Sequence, residues 1–159
     1  MMRVGILTVS DRSSRGERPD AGGPAVESAL ASLHPRVERY EVVPDDPQTI
    51  SDRLSLWADE LGLDLILTTG GTGLGPRDFT PEATLRVVDR NAPGLVEAMR
   101  SNGRTHTPHA MLSRAVAGVR GRSLIINLPG SPRAVVEGLE TILPALPHAV
   151  EVIKGEARE

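Results

Sequence analysis

Three times in this chain an apolar run gives way to a loop and then to a capping residue followed by proline: Asp46-Pro47, Thr80-Pro81 and Ser131-Pro132. Proline suits the first helical turn because the amide it lacks would be unpaired there. The residue before it is pushed toward extended backbone, which an N-cap requires. Gly23-Pro24 predicts a fourth helix start. The runs Val4–Val9, Leu65–Thr69 and Leu124–Leu128 are short, apolar and bounded by turn residues, as buried strands are. Val37–Val43 alternates in part, which suits a place nearer a sheet edge. Strands that alternate with helices in this way predict one α/β domain over residues 1–159, three layers deep, with a mostly parallel sheet.

The helices follow from apolar spacing. Pro24–Leu33 places Val26, Ala29, Leu30 and Leu33 on one face, and Ile50, Leu54, Trp57 and Leu61 recur at helical intervals. Pro81–Asp89, Gly94–Asn102, the Val135, Leu139, Ile142 face and Pro147–Lys154 complete the set. Ala115–Val119, joined to Leu124–Leu128 through Arg120-Gly121-Arg122, predicts an antiparallel hairpin near 113–128. In a parallel sheet the strand-to-helix loops share the carboxyl edge, where ligands bind. The segments S-D-R-S-S-R-G, V-P-D-D, G-G-T-G-L-G-P-R-D and L-P-G-S should therefore converge.

Composition removes several function classes. Net charge is −3 with no basic run, and there is one Trp, one Tyr and one Phe. A nucleic acid or a membrane surface is not an expected partner. The chain has no cysteine, hence no thiolate nucleophile and no cysteine metal site. No apolar run approaches the length of a membrane span, and Val4–Val9 is too short for a signal-peptide core. A cytoplasmic protein is the expectation. Lys154 is the only lysine, so the glycine loop cannot be a P-loop, and its glycines do not fit G-x-G-x-x-G.

That loop, Gly70, Gly71, Gly73 and Gly75, puts four glycines in six residues directly after a strand. Bare backbone of this kind lets N–H groups approach a phosphate or a pterin, or else makes a tight turn. Asp46 is placed to cap the helix at Pro47, whereas Asp45 has no such duty. Asp45 and Asp78 could form a carboxylate pair across the edge, holding Mg²⁺ beside substrate phosphates. Alternatively Asp78 pairs with Arg77 or nearby amides. Ser10 and Asp11 end the first strand, Ser113 precedes the hairpin and Ser131 opens a helix. Each could bond a ligand or cap its own turn. No G-x-S-x-G elbow surrounds the serines. His106 and His109 form H-T-P-H, but proline in the spacer disfavours a helix that holds both rings on one metal, and His34 and His148 carry no further signal.

In order, V-S-D-R, V-P-D, T-T-G-G-T-G…P-R-D-F-T-P-E-A-T, M-L-S-R, G-V-R-G-R-S-L-I-I-N-L-P-G-S and I-L-P-A-L-P-H-A resemble the MogA and MoaB family of molybdenum cofactor proteins. That family includes the G domains of gephyrin and its plant counterpart. The resemblance runs from Gly5 to Gly155 and implies molybdopterin adenylyltransferase activity: molybdopterin and ATP give adenylylated molybdopterin and pyrophosphate, with Mg²⁺. It implies a homotrimer and a downstream molybdate-inserting partner of the MoeA type. Residue by residue it implies Asp45 and Asp78 as catalytic and metal-binding. Thr69, Gly70, Gly71, Thr72 and Gly73 match its nucleotide and pterin loop, and Ser10 and Asp11 its first-strand motif. Ser113 and Pro129-Gly130-Ser131 match substrate-side positions. Asp46 and Ser131-Pro132-Arg133 are points where family members vary. A non-catalytic pterin-binding or scaffold trimer, and a nucleotide hydrolase like the CinA-type domains, are the competing expectations.

Overall fold

Three neighbouring strands are buried at nearly every position because helices cover both of their faces. They are β1 (Arg3–Val9), β3 (Leu65–Thr69) and β6 (Ser123–Leu128). The protein is described by a computed structural model over residues 1–158. Its six-stranded sheet has the order β2-β1-β3-β6-β5-β4, with β2 at Arg36–Val43, β4 at Arg90–Asn91 and β5 at Ala117–Arg120. The first four strands in that order are parallel, while β4–β5 and β5–β6 pair antiparallel. The hairpin turns at Gly121-Arg122, with Arg120 opposite Ser123 and Gly121 at φ +55°.

Alternate residues of each strand feed two cores. Ile6, Leu65, Leu67, Leu124 and Ile126 pack on one side with α2 (Gly22–Leu30), α5 (Pro93–Gly103), α6 (Pro132–Ile142) and α7 (Leu146–Lys154). Leu7, Ile66 and Ile125 pack on the other with α3 (Pro47–Asp59) and α4 (Thr80–Leu85). The result is the expected three-layer α/β/α arrangement, with β2 at the edge where its alternation places it. A short helix, α1 (Asp11–Ser14), and the two-residue β4 had no periodic signal in the sequence.

The cap-proline reading holds at two of three places. Asp46 accepts from the Thr49 N–H at 2.8 Å, and Ser131 from the Ala134 N–H at 3.4 Å. At α4 it does not: the cap position is Phe79, and Thr80 is already helical. The Thr80 hydroxyl instead donates to the Gly70 carbonyl at 2.9 Å, pinning the glycine loop to the helix behind it. Helix α2 begins at Gly22, two residues before the expected start at Pro24. Asp20 accepts from the Gly23 N–H at 3.1 Å and from the Thr8 hydroxyl at 2.9 Å, fixing that start.

Candidate functional site

At the carboxyl edge β1 is flanked by β2 on one side and β3 on the other, so the loops that follow β1 and β3 leave room between them. The glycine loop fills part of this crevice. Its N-terminal end is tied to the next strand by Gly70 N–H to Leu128 O at 3.2 Å and Thr69 Oγ1 to Pro129 O at 2.7 Å. Gly70 has φ +99° and Gly71 φ +68°. A methyl on Gly70 would collide with the Val9 carbonyl, and one on Gly71 with the Thr80 hydroxyl. Two successive left-handed residues turn the backbone so that the N–H groups of Gly71, Thr72 and Gly73 donate to no described residue. Such a run is a cradle for an anion.

Two cavities open on either side of this loop. One, about 660 Å³, is lined by polar groups including Ser10, Ser13, Arg18, Asp20 and Asp45 together with Thr69 and Gly70. The other, about 490 Å³, is largely apolar, with Val96, Met99 and Leu112 beside Thr72, Gly73, Ser113 and Pro129. Gly71, Asp78, Gly130 and Ser131 line both. The structure therefore brings all but one of the sequence-derived site residues to two adjoining hollows. The exception is Asp11, which lines neither.

Asp11 is held by Arg77 instead. Its carboxylate takes a forked ion pair from Arg77, at 2.6 Å from Nε and 3.2 Å from Nη2. Arg77 also donates to the Asp45 carbonyl at 3.2 Å. Of the two alternatives for Asp78, Arg77 or nearby amides, the structure shows the amide. Asp78 Oδ2 accepts from the Gly75 N–H at 2.8 Å, while Arg77 reaches back to Asp11. The Arg77 hydrogen bond holds the Asp11 carboxyl below its ordinary value, helped by the Asp45 N–H. Burial pushes the Asp45 carboxyl up; the Asp11 N–H opposes this, and the charges of Asp11 and Asp78 add to it. A half-buried anion facing two others is an environment that favours a cation. Neither Asp45 Oδ1 nor Asp78 Oδ1 accepts a hydrogen bond from a described residue. Two hard oxygen donors are thereby left for a divalent ion.

Ser10 caps α1 through the Ser13 N–H at 3.2 Å while lining the polar cavity. His109 lines the apolar cavity, and His106 Nδ1 lies 3.6 Å from Glu137. No cluster of three or more metal-binding side chains exists among the described residues. Residues the sequence did not single out include Arg114, Asn127 and Arg18. Arg114 stood inside the quoted M-L-S-R. Asn127 was the one polar residue within L-I-I-N-L, a signal for a buried hydrogen-bond network.

An open α/β sheet with a glycine loop and two joined hollows at its carboxyl edge is the architecture in which α/β proteins place a ligand crevice. The family described as a probable molybdopterin binding domain matches residues 5–148, and the chain belongs to it. The molybdopterin adenylyltransferase of Helicobacter pylori (strain J99) is 44% identical over 97% of this chain and 89% of its own length. Gephyrin of Dictyostelium discoideum is 41% identical over 98% of this chain, which spans 23% of that longer protein. The crystal structure of the molybdopterin biosynthesis enzyme MoaB from Thermus thermophilus superposes with a TM-score of 0.93 at 57% identity, covering both chains fully. Among the described residues no helix is long and apolar enough to cross a membrane.

Proposed function

We propose that this protein is a molybdopterin adenylyltransferase, which transfers AMP from ATP to the terminal phosphate of molybdopterin and releases pyrophosphate. The observation that carries the reading is the shared wall of the two cavities, Gly71, Asp78, Gly130 and Ser131. A reaction between two bound substrates needs adjoining sites that meet at the reacting atoms. The names of the relatives point the same way.

A terminal phosphate oxygen of molybdopterin attacks the α-phosphorus of ATP. The new P–O bond forms as the bond to the bridging oxygen breaks, and the electron pair leaves on pyrophosphate. The nucleophile is already an anion, so no strong base is required. The protein supplies position and charge compensation instead. The N–H groups of Gly71, Thr72 and Gly73, which donate to no described residue, are available to the phosphates. Asp45 and Asp78 would hold Mg²⁺; their free oxygens, with no thiolate or ring nitrogen lining the polar cavity, fit that hard cation. When bound, Mg²⁺ neutralises the triphosphate. Ser10 and Ser131 orient substrate in the polar cavity, and Ser113 acts from the apolar hollow. The same reading makes the protein a cytoplasmic homotrimer that passes its product to a MoeA-type molybdate-inserting protein.

Asp78→Asn is expected to lower kcat roughly 100-fold or more, with molybdopterin affinity changed by less than about 3-fold. Wild-type turnover in that variant would overturn the metal-anchor role of Asp78. Incubation with ATP and Mg²⁺, with and without molybdopterin, tests the class of reaction. Pyrophosphate released only with the pterin supports transfer. Hydrolysis without it marks a nucleotide hydrolase, and no reaction marks a binding protein.

A further inference from the structure

Between Gly73 and Asp78 the glycine loop leaves the body of the protein, and Leu74 is 66% exposed there. The turn closes on itself through two bonds: Asp78 N–H to Gly75 O at 3.1 Å and Gly75 N–H to Asp78 Oδ2 at 2.8 Å. These shape the turn but do not attach it to anything. Arg114 attaches it. Nε donates to Gly73 O at 2.7 Å and Nη2 to Asp78 O at 2.8 Å, one on each side of the turn. Nη1 is held by both carboxylate oxygens of Glu82, at 2.5 and 3.1 Å. The Arg114 N–H donates to Thr72 O at 2.8 Å. From behind, Arg100 Nη1 donates to Ala115 O at 3.0 Å and Ser113 O at 3.4 Å, bracing the strand of chain that carries Arg114.

Each of the three guanidinium nitrogens donates to protein, and Arg114 lines neither cavity. It is therefore built to hold backbone, not substrate. A planar fork with donors fixed in one plane can grip two carbonyls and a carboxylate together, which a lysine ammonium cannot reproduce. We propose that Arg114 is the positioning residue for Asp78: it clamps the Gly73 and Asp78 carbonyls, so that the turn between them aims the Asp78 carboxylate into the wall shared by the two cavities. Glu82 is its counter-anchor on α4, and Arg100 is its brace on α5. The catalytic consequence rests on the proposed role of Asp78; the mechanical one does not.

The test uses Arg114→Lys, Arg114→Gln and Glu82→Gln in the full chain, with two readouts. The first is amide hydrogen exchange at Gly75 and Asp78, measured without substrates. Exchange is expected to rise about tenfold or more in both Arg114 variants, while amides in β1 and β3 stay at wild-type rates. Unchanged exchange at Gly75 in Arg114→Lys overturns the proposal. The second readout is kinetic. A carboxylate held loosely should lower kcat roughly 30- to 100-fold with little change in KM, and Glu82→Gln should lie between wild type and Arg114→Lys. Because Arg114 acts through Asp78, combining Arg114→Lys with Asp78→Asn should cost no more than about 3-fold beyond Asp78→Asn alone. Fully multiplicative losses overturn the proposal. Full turnover in Asp78→Asn overturns the role of Asp78, whereas faster exchange in the same Arg114 variants still supports the clamp. Arg114→Lys keeps the charge, and so decides the matter if Arg114→Gln does not fold.

Discussion

Asp11 and Asp45 are joined by a reciprocal pair of hydrogen bonds: the Asp11 N–H donates to Asp45 Oδ2 at 2.9 Å, and the Asp45 N–H donates to Asp11 Oδ1 at 2.9 Å. The loops after β1 and β2 are thereby locked together, and Arg77 fastens the glycine loop to the same knot. The lock places two carboxylates close together, and Asp45 bears the cost.

That cost predicts a trade between stability and turnover. Burial raises the folded-state value of the Asp45 carboxyl, with Asp11 and Asp78 adding to the rise. A carboxyl whose folded value is raised binds its proton more tightly folded than unfolded. Its contribution to stability is therefore most favourable below the unfolded value and declines as pH rises through the folded one. Asp45→Asn keeps an acceptor for the Asp11 N–H and removes the charge. It should melt above wild type at pH 7, lose that advantage at pH 3, and turn over far less. Calorimetric melts at the two pH values check it. In metal-free protein, Asp11→Asn should lower the Asp45 titration midpoint, followed by carboxyl carbon shifts. A midpoint that rises instead contradicts the assigned charge effect.

The glycines separate two kinds of constraint. At Gly121, φ is +55° and nothing lies within 4 Å of an added methyl. Gly121→Ala should therefore cost only the left-handed backbone penalty, about 1–2 kcal/mol, read from denaturant melts. At Gly70, φ is +99° and the methyl meets the Val9 carbonyl, which belongs to a strand paired on both sides. Neither partner can move without breaking sheet pairing. Gly70→Ala should give little soluble protein under conditions where Gly121→Ala expresses normally. Comparable soluble yields would count against the steric account.

The contrast also marks what the sequence made legible. Strands β1, β3 and β6 were visible because each is covered on both faces, so apolar residues run consecutively instead of alternating. Convergence of the four loops followed from parallel topology alone. The Asp46 cap was visible because its partner is three residues away. Thr80 misled because its hydroxyl serves Gly70 instead of its own helix. Arg77 and Asp78 could be read as a pair because they are adjacent. The partner of Arg77 is Asp11, reached only after the sheet forms. The partners of Arg114 include two backbone carbonyls, which leave no mark on residue identity.

Acid should loosen the amino edge of the sheet through a defined pair. Asp59, just past the core-facing turns of α3, takes a forked ion pair from Arg120 on β5, at 3.0 Å from Nε and 2.7 Å from Nη2. The Arg120 hydrogen bond lowers the Asp59 carboxyl below its ordinary value. A lowered carboxyl contributes stability that is present above the unfolded value and lost as pH falls through the folded one. Asp59→Asn should therefore sit below wild type at neutral pH and converge with it as pH drops below the usual aspartate range. Since both side chains are part exposed, the neutral-pH gap should shrink in 1 M salt. Parallel acid melts of the two proteins, with and without salt, supply the comparison.

Beneath the crevice, Asn127 is fully buried in β6 and spends both amide hydrogens inside the fold. Nδ2 donates to Thr68 Oγ1 at 3.0 Å and to Thr84 Oγ1 at 2.9 Å, joining β3 to α4. Its Oδ1 accepts from the Val116 N–H at 3.1 Å, and Thr84 passes its own hydrogen to Thr80 O at 2.8 Å. This network carries the helix whose Thr80 pins the glycine loop. Asn127→Asp changes no heavy-atom count yet removes both donated hydrogens, so its effect isolates hydrogen bonding from packing. Losing buried partners costs about 1–3 kcal/mol, and each kcal/mol lowers Tm by about 2–4 °C in a domain of this size. The introduced carboxyl, buried and without a cationic neighbour in this network, would have a raised folded value. The deficit relative to wild type should therefore widen as pH rises from 4 to 7, the same direction as the Asp59→Asn gap but caused by a carboxylate gained inside the fold instead of one lost from an ion pair. A deficit that narrows over that range would mean the site admits water or a cation. The network would then not be the dry support for α4 that its hydrogen bonds describe.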